Sequence, residues 1–271
     1  MAGPAPSDPP PALLAGLARV ELHDPLFVSD LHLNAGAPAT LARFLRLCEQ
    51  EAAARAELLI LGDLFEYWIG DDALDDEDDA VSRTVAAALR ALGGRGVRLF
   101  VMHGNRDLLL GAGFLRATGA QLLADPAIAV IGGRELLLAH GDAWCTQDLE
   151  YMRFRATVRL EATQRQFLAG PRAARLAFMG AARAQSEAGK RAKAMEIMDV
   201  TASAVDDALR ASGLRRLIHG HTHRPAVHRF LLDGLPAERW VLPDWDFDAQ
   251  PVRGGAIAAS GGELVNVPLA A

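Results

Sequence analysis

The chain has little cysteine, no excess of basic residues and no apolar run of membrane-spanning length. Its two cysteines, Cys48 and Cys145, exclude a disulfide framework, and so low a count fits a reducing compartment. Cys145 follows a polar string at 140–142, and its plainer reading is a small buried side chain. A net charge of -6 over 271 residues gives no general attraction to nucleic acid. No stretch approaches the roughly 18–20 apolar residues that span a bilayer. The first eleven residues hold five prolines and lack the basic start of a signal peptide. Residues 1–22 therefore read as a mostly disordered, Pro/Ala-rich extension.

Hydrophobic residues make up 51% of the chain, enough for one large α/β domain with an insertion or for two small domains. From 26 to 142, short apolar runs alternate with helical patterns. Thr40–Ala56 carries Leu41, Phe44, Leu45 and Leu47 near helical spacing, and Val81–Leu92 is closed by Gly93 and Gly94. That alternation implies βαβ units with a parallel component. From Asp148 to about Ser212 strand signals are missing. Residues 151–193 hold ten basic residues against two acidic ones, Glu161 and Glu187, interleaved with Phe154, Phe167, Leu168, Leu176, Phe178 and Met179. Strand patterns return at Leu217, with hairpins expected at 226–243, turning at Asp233-Gly234, and at 255–268, turning at Gly261-Gly262. The expected organisation is a core of 23–147 and 213–271 with a helical block, 148–212, inserted into it. Asp71–Asp79 carries seven acidic residues and reads as a solvated loop.

Five polar strings follow strand-length apolar runs: SDLH at 29–32, GD at 62–63, GNRD at 104–107, HGD at 140–142 and HGHTH at 219–223. Asp30 and His32 are two apart, as are His221 and His223, a spacing that on extended chain turns both side chains to one side. Singly, a D-x-H pair is as often a surface pair, Gly62-Asp63 a turn, GNRD a turn with a solvated arginine, and His140 a satisfied core histidine. Three histidines within five residues are hard to explain as packing. Together, Asp30, His32, Asp63, Asn105, His140, His221 and His223 exceed the needs of one metal and suit two. Asp63 has two oxygens with which to bridge a pair of cations. Asn105 offers a neutral carbonyl, and Arg106 a planar donor fork suited to phosphate. His23, His103 and His228 lack such partners and read as structural or surface residues, and His219 is left outside the metal set.

In this order the strings resemble the D-x-H, GD, GN, H and GHxH blocks of the calcineurin-like metallophosphoesterases, over about residues 30–225. The resemblance implies an α/β fold: a two-layer β-sandwich flanked by helices, with two Mn²⁺ ions at the strand ends. It implies that Asp30, His32, Asp63 and His223 hold one ion and Asp63, Asn105, His140 and His221 the other. GDLFEYWIGDD at 62–72, HGNRDLLLG at 103–111, HGDAWCTQD at 140–148, IMDV at 197–200 and HGHTHRPAVH at 219–228 are similar to one branch in particular. That branch is the pyrophosphatases of lipid A synthesis, which hydrolyse UDP-2,3-diacylglucosamine to UMP and 2,3-diacylglucosamine 1-phosphate. It implies a peripheral enzyme on the cytosolic face of the inner membrane, with a helical lid over the acyl chains and neither a nucleic-acid nor an evident protein partner. By matching position, Asn105 and Arg106 are catalytic, and Asn105, Arg106, Asp148, Ser186, Lys193 and His221 contact substrate. Lys190 stands where that branch has asparagine. The segment 243–250 departs from the branch's usual ending and lies away from the metal blocks. The competing readings are a metallophosphoesterase acting on a soluble nucleotide or other phosphodiester, and a binding module that keeps the fold without catalysis. The inserted basic, apolar block argues against the first, and the presence of all seven ligands against the second.

Overall fold

The computed structural model describes residues 17–181 and 199–270. Two six-stranded sheets pack face to face, with helices on their outer faces. One sheet runs β12 (Glu263–Pro268), β11 (Gly255–Ser260), β2 (Pro25–Val28), β3 (Glu57–Leu61), β4 (Arg98–Met102), β5 (Gln121–Leu123). The other runs β1 (Arg19–Leu22), β6 (Ala127–Ile131), β7 (Arg134–Ala139), β8 (Arg216–His219), β10 (Leu235–Val241), β9 (Ala226–Leu232). Strands β2, β3 and β4 are parallel neighbours, as are β7 and β8, so the polar strings that follow them leave at one edge.

The apolar runs are continuous because these strands are buried on both faces. In β2, β3 and β4, Leu26, Val28, Leu58, Ile60, Leu99 and Val101 face an outer layer. That layer consists of α1 (Pro38–Glu49), α2 (Ala80–Gly94) and α3 (Ala112–Thr118). The alternate residues Phe27, Leu59, Leu61, Phe100 and Met102 meet Leu136, Leu138, Ile218 and Trp240 of the opposite sheet. A third cluster joins Leu137, Ala139 and Leu217 to Val205 and Leu209 of α6 (Ala202–Ser212). Both expected hairpins form, with β9 pairing β10 and β11 pairing β12.

Several boundaries differ from the expectation. The helix expected to reach Ala56 ends at Glu49, and a 3-10 turn at Ala52–Ala54 leads into β3. Residues 19–22, placed in the extension, form β1 in parallel register with β6, and Leu22 enters the inter-sheet core. Four residues carry too little alternation to mark a strand. The inserted block ends before α6, because Val205 and Leu209 make that helix part of the core. What remains described of the insert is α4 (Leu149–Val158), α5 (Glu161–Leu168) and a helical stretch at 172–181.

The acidic run is not a solvated loop. Asp71 accepts the backbone N–H groups of Gly111 and Gly113 at 2.9 and 2.6 Å and the Trp68 indole N–H at 3.1 Å. Asp72 pairs with the buried Arg175, which also donates to the Ile69 carbonyl, and Asp76 pairs with Arg172. Asp79 caps α2 by accepting from Ser82 N at 3.0 Å.

Candidate metal centre

The expected ligands stand beyond the carboxyl ends of β2, β3, β4, β7 and β8, and not on extended chain. Asp30, His32, Asp63, His221 and His223 all hold positive φ, between 49° and 67°. Such a backbone is uncommon for non-glycine residues and is strained. Convergence therefore comes from left-handed turns at the strand ends and not from the strand pleat that the two-residue spacing suggested. Backbone bonds fix the turns: Asp30 N–H donates to Gly62 O at 3.1 Å, His32 N–H to Asp63 O at 3.0 Å and Gly220 N–H to His140 O at 2.9 Å. Two glycines permit the close approach. A Cβ on Gly104 would stand 2.0 Å from Asp63 Oδ1, and one on Gly220 would stand 2.3 Å from Asp30 Oδ2.

Two groups of ligand atoms result, Asp30 with His32 and His223, and Asp63 with His140 and His221, each within 4.8 Å. In the first, His223 Nε2 lies 3.5 Å from Asp30 Oδ1 and 3.3 Å from His32 Nε2. In the second, His140 Nε2 lies 3.1 Å from Asn105 Oδ1, which brings Asn105 to the same point. Asp63 stands between them, Oδ2 3.9 Å from His32 Nε2 and Oδ1 3.8 Å from His140 Nε2. His140 Nδ1 meets the Leu61 carbonyl at 2.9 Å, which fixes the tautomer and leaves Nε2 for a ligand role.

These groups fit a pair of divalent cations. Asp30 Oδ1 is buried without a hydrogen-bond donor, a costly state for a carboxylate oxygen unless a cation meets it. Asp30 Oδ2 is already satisfied by Ser29 Oγ at 2.6 Å and His221 N at 2.8 Å. Mixed imidazole and oxygen donors suit first-row divalent metals. Proton affinities agree. Burial, reinforced by Asp107 and Asp30, lifts Asp63 to about 7. Burial alone would lower His140, but the carboxylates of Asp63, Asp30, Asp142 and Asp125 outweigh it and raise it to about 9. Burial and the neighbouring His140 push His221 down to about 3, so that ring is neutral. The site thus gathers anionic charge that its own histidines only partly neutralise.

Sequence reasoning missed the groups that hold these ligands. Asp107 is fully buried and accepts Gly104 N–H at 2.9 Å, Leu64 N–H at 2.8 Å and Asp63 N–H at 3.3 Å. Asp142 and Asp125 flank His140, and Glu66 lies 3.4 Å from His32 Nδ1 and 3.7 Å from Arg106 Nη1. The segment 243–250, placed away from the metal blocks, lies against them. Asp244 Oδ2 stands 3.5 Å from His223 Nδ1, Trp245 N–H donates to Asp30 O at 3.0 Å, and Asp248 accepts the first N–H groups of α1. Chain distance hid this, because β11 and β10 bring the segment back to the edge.

Arg106 lies at the same rim and gives its backbone N–H to Asp63 Oδ1 at 2.9 Å. Asp148 caps α4, accepting Tyr151 N–H at 3.0 Å. Ser186, Lys190 and Lys193 lie outside the described residues. His219 belongs to neither ligand group: its Nδ1 meets Gly220 O at 2.8 Å and its Nε2 meets Arg239 Nη1 at 3.1 Å. His103 Nε2 meets Leu110 O at 2.7 Å, a structural bond.

Paired ligand groups at the carboxyl edge of a two-sheet α/β sandwich are the features of a metallophosphoesterase, and a model of the calcineurin-like phosphoesterases matches residues 25–225. The chain belongs to that family. Within it, the UDP-2,3-diacylglucosamine hydrolase of Chromohalobacter salexigens is 49% identical over 229 residues, covering 84% of this chain and 90% of its own length. The protein of the same name from Ralstonia nicotianae is 47% identical over 255 residues, covering 90% and 92%. That from Nitrosococcus oceani is 48% identical over 220 residues, covering 81% and 86%.

Proposed function

We propose that the protein hydrolyses the pyrophosphate bond of UDP-2,3-diacylglucosamine, giving UMP and 2,3-diacylglucosamine 1-phosphate, with two Mn²⁺ ions and at the cytoplasmic face of the inner membrane. The observation that carries this reading is the pair of ligand groups about Asp63, in a chain whose relatives of that name align over most of both lengths. Asp30, His32, Asp63 and His223 would hold one ion, and Asp63, Asn105, His140 and His221 the other. When bound, such ions supply a water of lowered pKa and neutralise charge on phosphate oxygens.

The chain's own groups do the rest. Asn105 would help hold the second ion by its carbonyl and so act on the phosphate indirectly, and Arg106 would meet phosphoryl oxygens with its guanidinium. Asp148, Ser186, Lys193 and His221 complete the substrate contacts. Exposed Leu149, Phe154, Leu160, Leu168 and Phe178 on the inserted block, among its arginines, favour a substrate with acyl chains presented from a lipid surface. No helix among the described residues is long and apolar enough to cross a membrane.

The test is mass analysis of the products of UDP-2,3-diacylglucosamine hydrolysis in H₂¹⁸O. Label in UMP is expected, from attack on the phosphorus nearer uridine. Label in the sugar phosphate would refute that site of attack, and no product would refute the substrate.

A further inference from the structure

The inserted arm reaches the metal centre without an apolar seat. Among the described residues α4 and α5 bury no side chain, and Leu149, Phe154 and Leu160 stay exposed. What docks α4 is polar. Tyr151, Arg155 and Arg159 recur every four residues and so share one helix face. The Tyr151 hydroxyl donates to Asp142 Oδ2 at 2.7 Å, Arg155 Nε to the same oxygen at 2.9 Å, and Arg159 Nη2 reaches it at 3.3 Å. Both guanidinium groups stand 3.9 Å from Asp125 Oδ2, whose partner oxygen accepts the His140 backbone N–H at 3.1 Å. Asp142 is fully buried and Asp125 nearly so. Two buried carboxylates thus face two guanidinium groups, a charge-balanced cluster in which loss of the cations leaves uncompensated charge.

This cluster joins the arm to the reacting end of the site. Asp142 is two residues beyond His140, Asp125 holds the His140 backbone, and the Tyr151 ring centre lies 5.6 Å from that of His221. We infer that Arg155 and Arg159 are positioning residues that fix the inserted arm beside the metal centre and thereby set selectivity for a large, lipid-linked substrate over a small phosphodiester. The substrate clause rests on the function proposed above; the docking clause stands on the contacts alone. The acyl-bearing half of the substrate needs the arm in place, whereas a small diester needs only the ligand groups and Arg106.

The experiment compares full-length wild type with R155Q/R159Q, both loaded with Mn²⁺. Amide hydrogen exchange across 149–168 should quicken at least tenfold while β7 and β8 exchange as in wild type. KM for UDP-2,3-diacylglucosamine should rise at least tenfold, while turnover of bis-p-nitrophenyl phosphate should fall by a clearly smaller factor. R155K/R159K, which keeps the charge and loses the planar fork, should recover part of the protection. R159Q alone, which keeps Arg155 on Asp142 and within reach of Asp125, carries the same comparison if the double variant does not fold. Unchanged exchange across 149–168 would overturn the docking role, and equal losses on both substrates would overturn the selectivity role. If wild type fails to cleave the lipid-linked nucleotide, the proposed substrate falls and the exchange comparison still decides the docking.

Discussion

Asp107 holds two of the site's loops at once. It takes N–H groups from Asp63 and Leu64 on the loop after β3 and from Gly104 on the loop after β4. Burial raises its proton affinity against the pull of the Gly104 and Leu64 N–H groups and of the nearby His103 and His140. Asp107→Ala should therefore strand three buried N–H groups. At about 1–3 kcal/mol for an unsatisfied buried group, partly relieved by water, a loss of about 2–4 kcal/mol is expected. Urea denaturation of the metal-free protein checks the magnitude, and metal analysis should show fewer than two ions per chain; wild-type values for both would refute the role. The seven candidate ligands stand out in the sequence because residue type announces them, and the fold brings them together: Asp, His and Asn beyond apolar runs have few other uses in that number. Asp107, Asp125 and Asp244 were not, because they act on backbone groups or on ring nitrogens of residues distant in the chain. Nor does residue type record left-handed backbone at five of the seven ligands.

At the scale of elements, the strands were legible because burial on both faces leaves unbroken apolar runs. Helix ends and the role of charge were less so. Seven acidic residues in nine look like a solvated loop when their partners are invisible. Those partners, Gly111 and Gly113 at the start of α3 and Arg172 and Arg175 of the insert, lie tens of residues away. A consequence separates residues within the run. Asp71→Ala removes the acceptor for two backbone N–H groups and the Trp68 indole, so it should destabilise the protein by about 1–3 kcal/mol. Glu77→Ala, at an exposed site, should stay within about 0.5 kcal/mol. Equal midpoints in chemical denaturation would mean that the run is merely solvated after all.

For the whole molecule, the ligand groups link folding, protons and metal. In the metal-free protein the surrounding carboxylates hold His140 at about 9, above its ordinary 6.5, and burial holds Asp63 at about 7, above its ordinary 3.8. Each raised value favours the protonated group in the fold. The His140 contribution is fully present below about pH 6.5 and is lost as pH rises through 9; that of Asp63 is present in acid and lost as pH rises through 7. Asp30 and Asp142 are held below the usual carboxylate range, by the nearby histidines and, for Asp142, also by Arg159 and Arg155, so they matter only in acid. Metal-free protein should therefore lose thermal stability from pH 6 to pH 9. Divalent cations need Asp63 ionised and His140 Nε2 unprotonated, so their binding releases protons and strengthens over the same range. Bound metal stabilises the fold by RT ln(1 + [L]/Kd), about 2.7 kcal/mol at a hundredfold excess over Kd. The gap in Tm between Mn²⁺-loaded and chelator-treated protein should accordingly widen from pH 6 to pH 9 at fixed Mn²⁺, as read by scanning calorimetry. A gap independent of pH would show that metal displaces no protons at this edge, and the pairing of Asp63 with His140 about a shared cation would have to be abandoned.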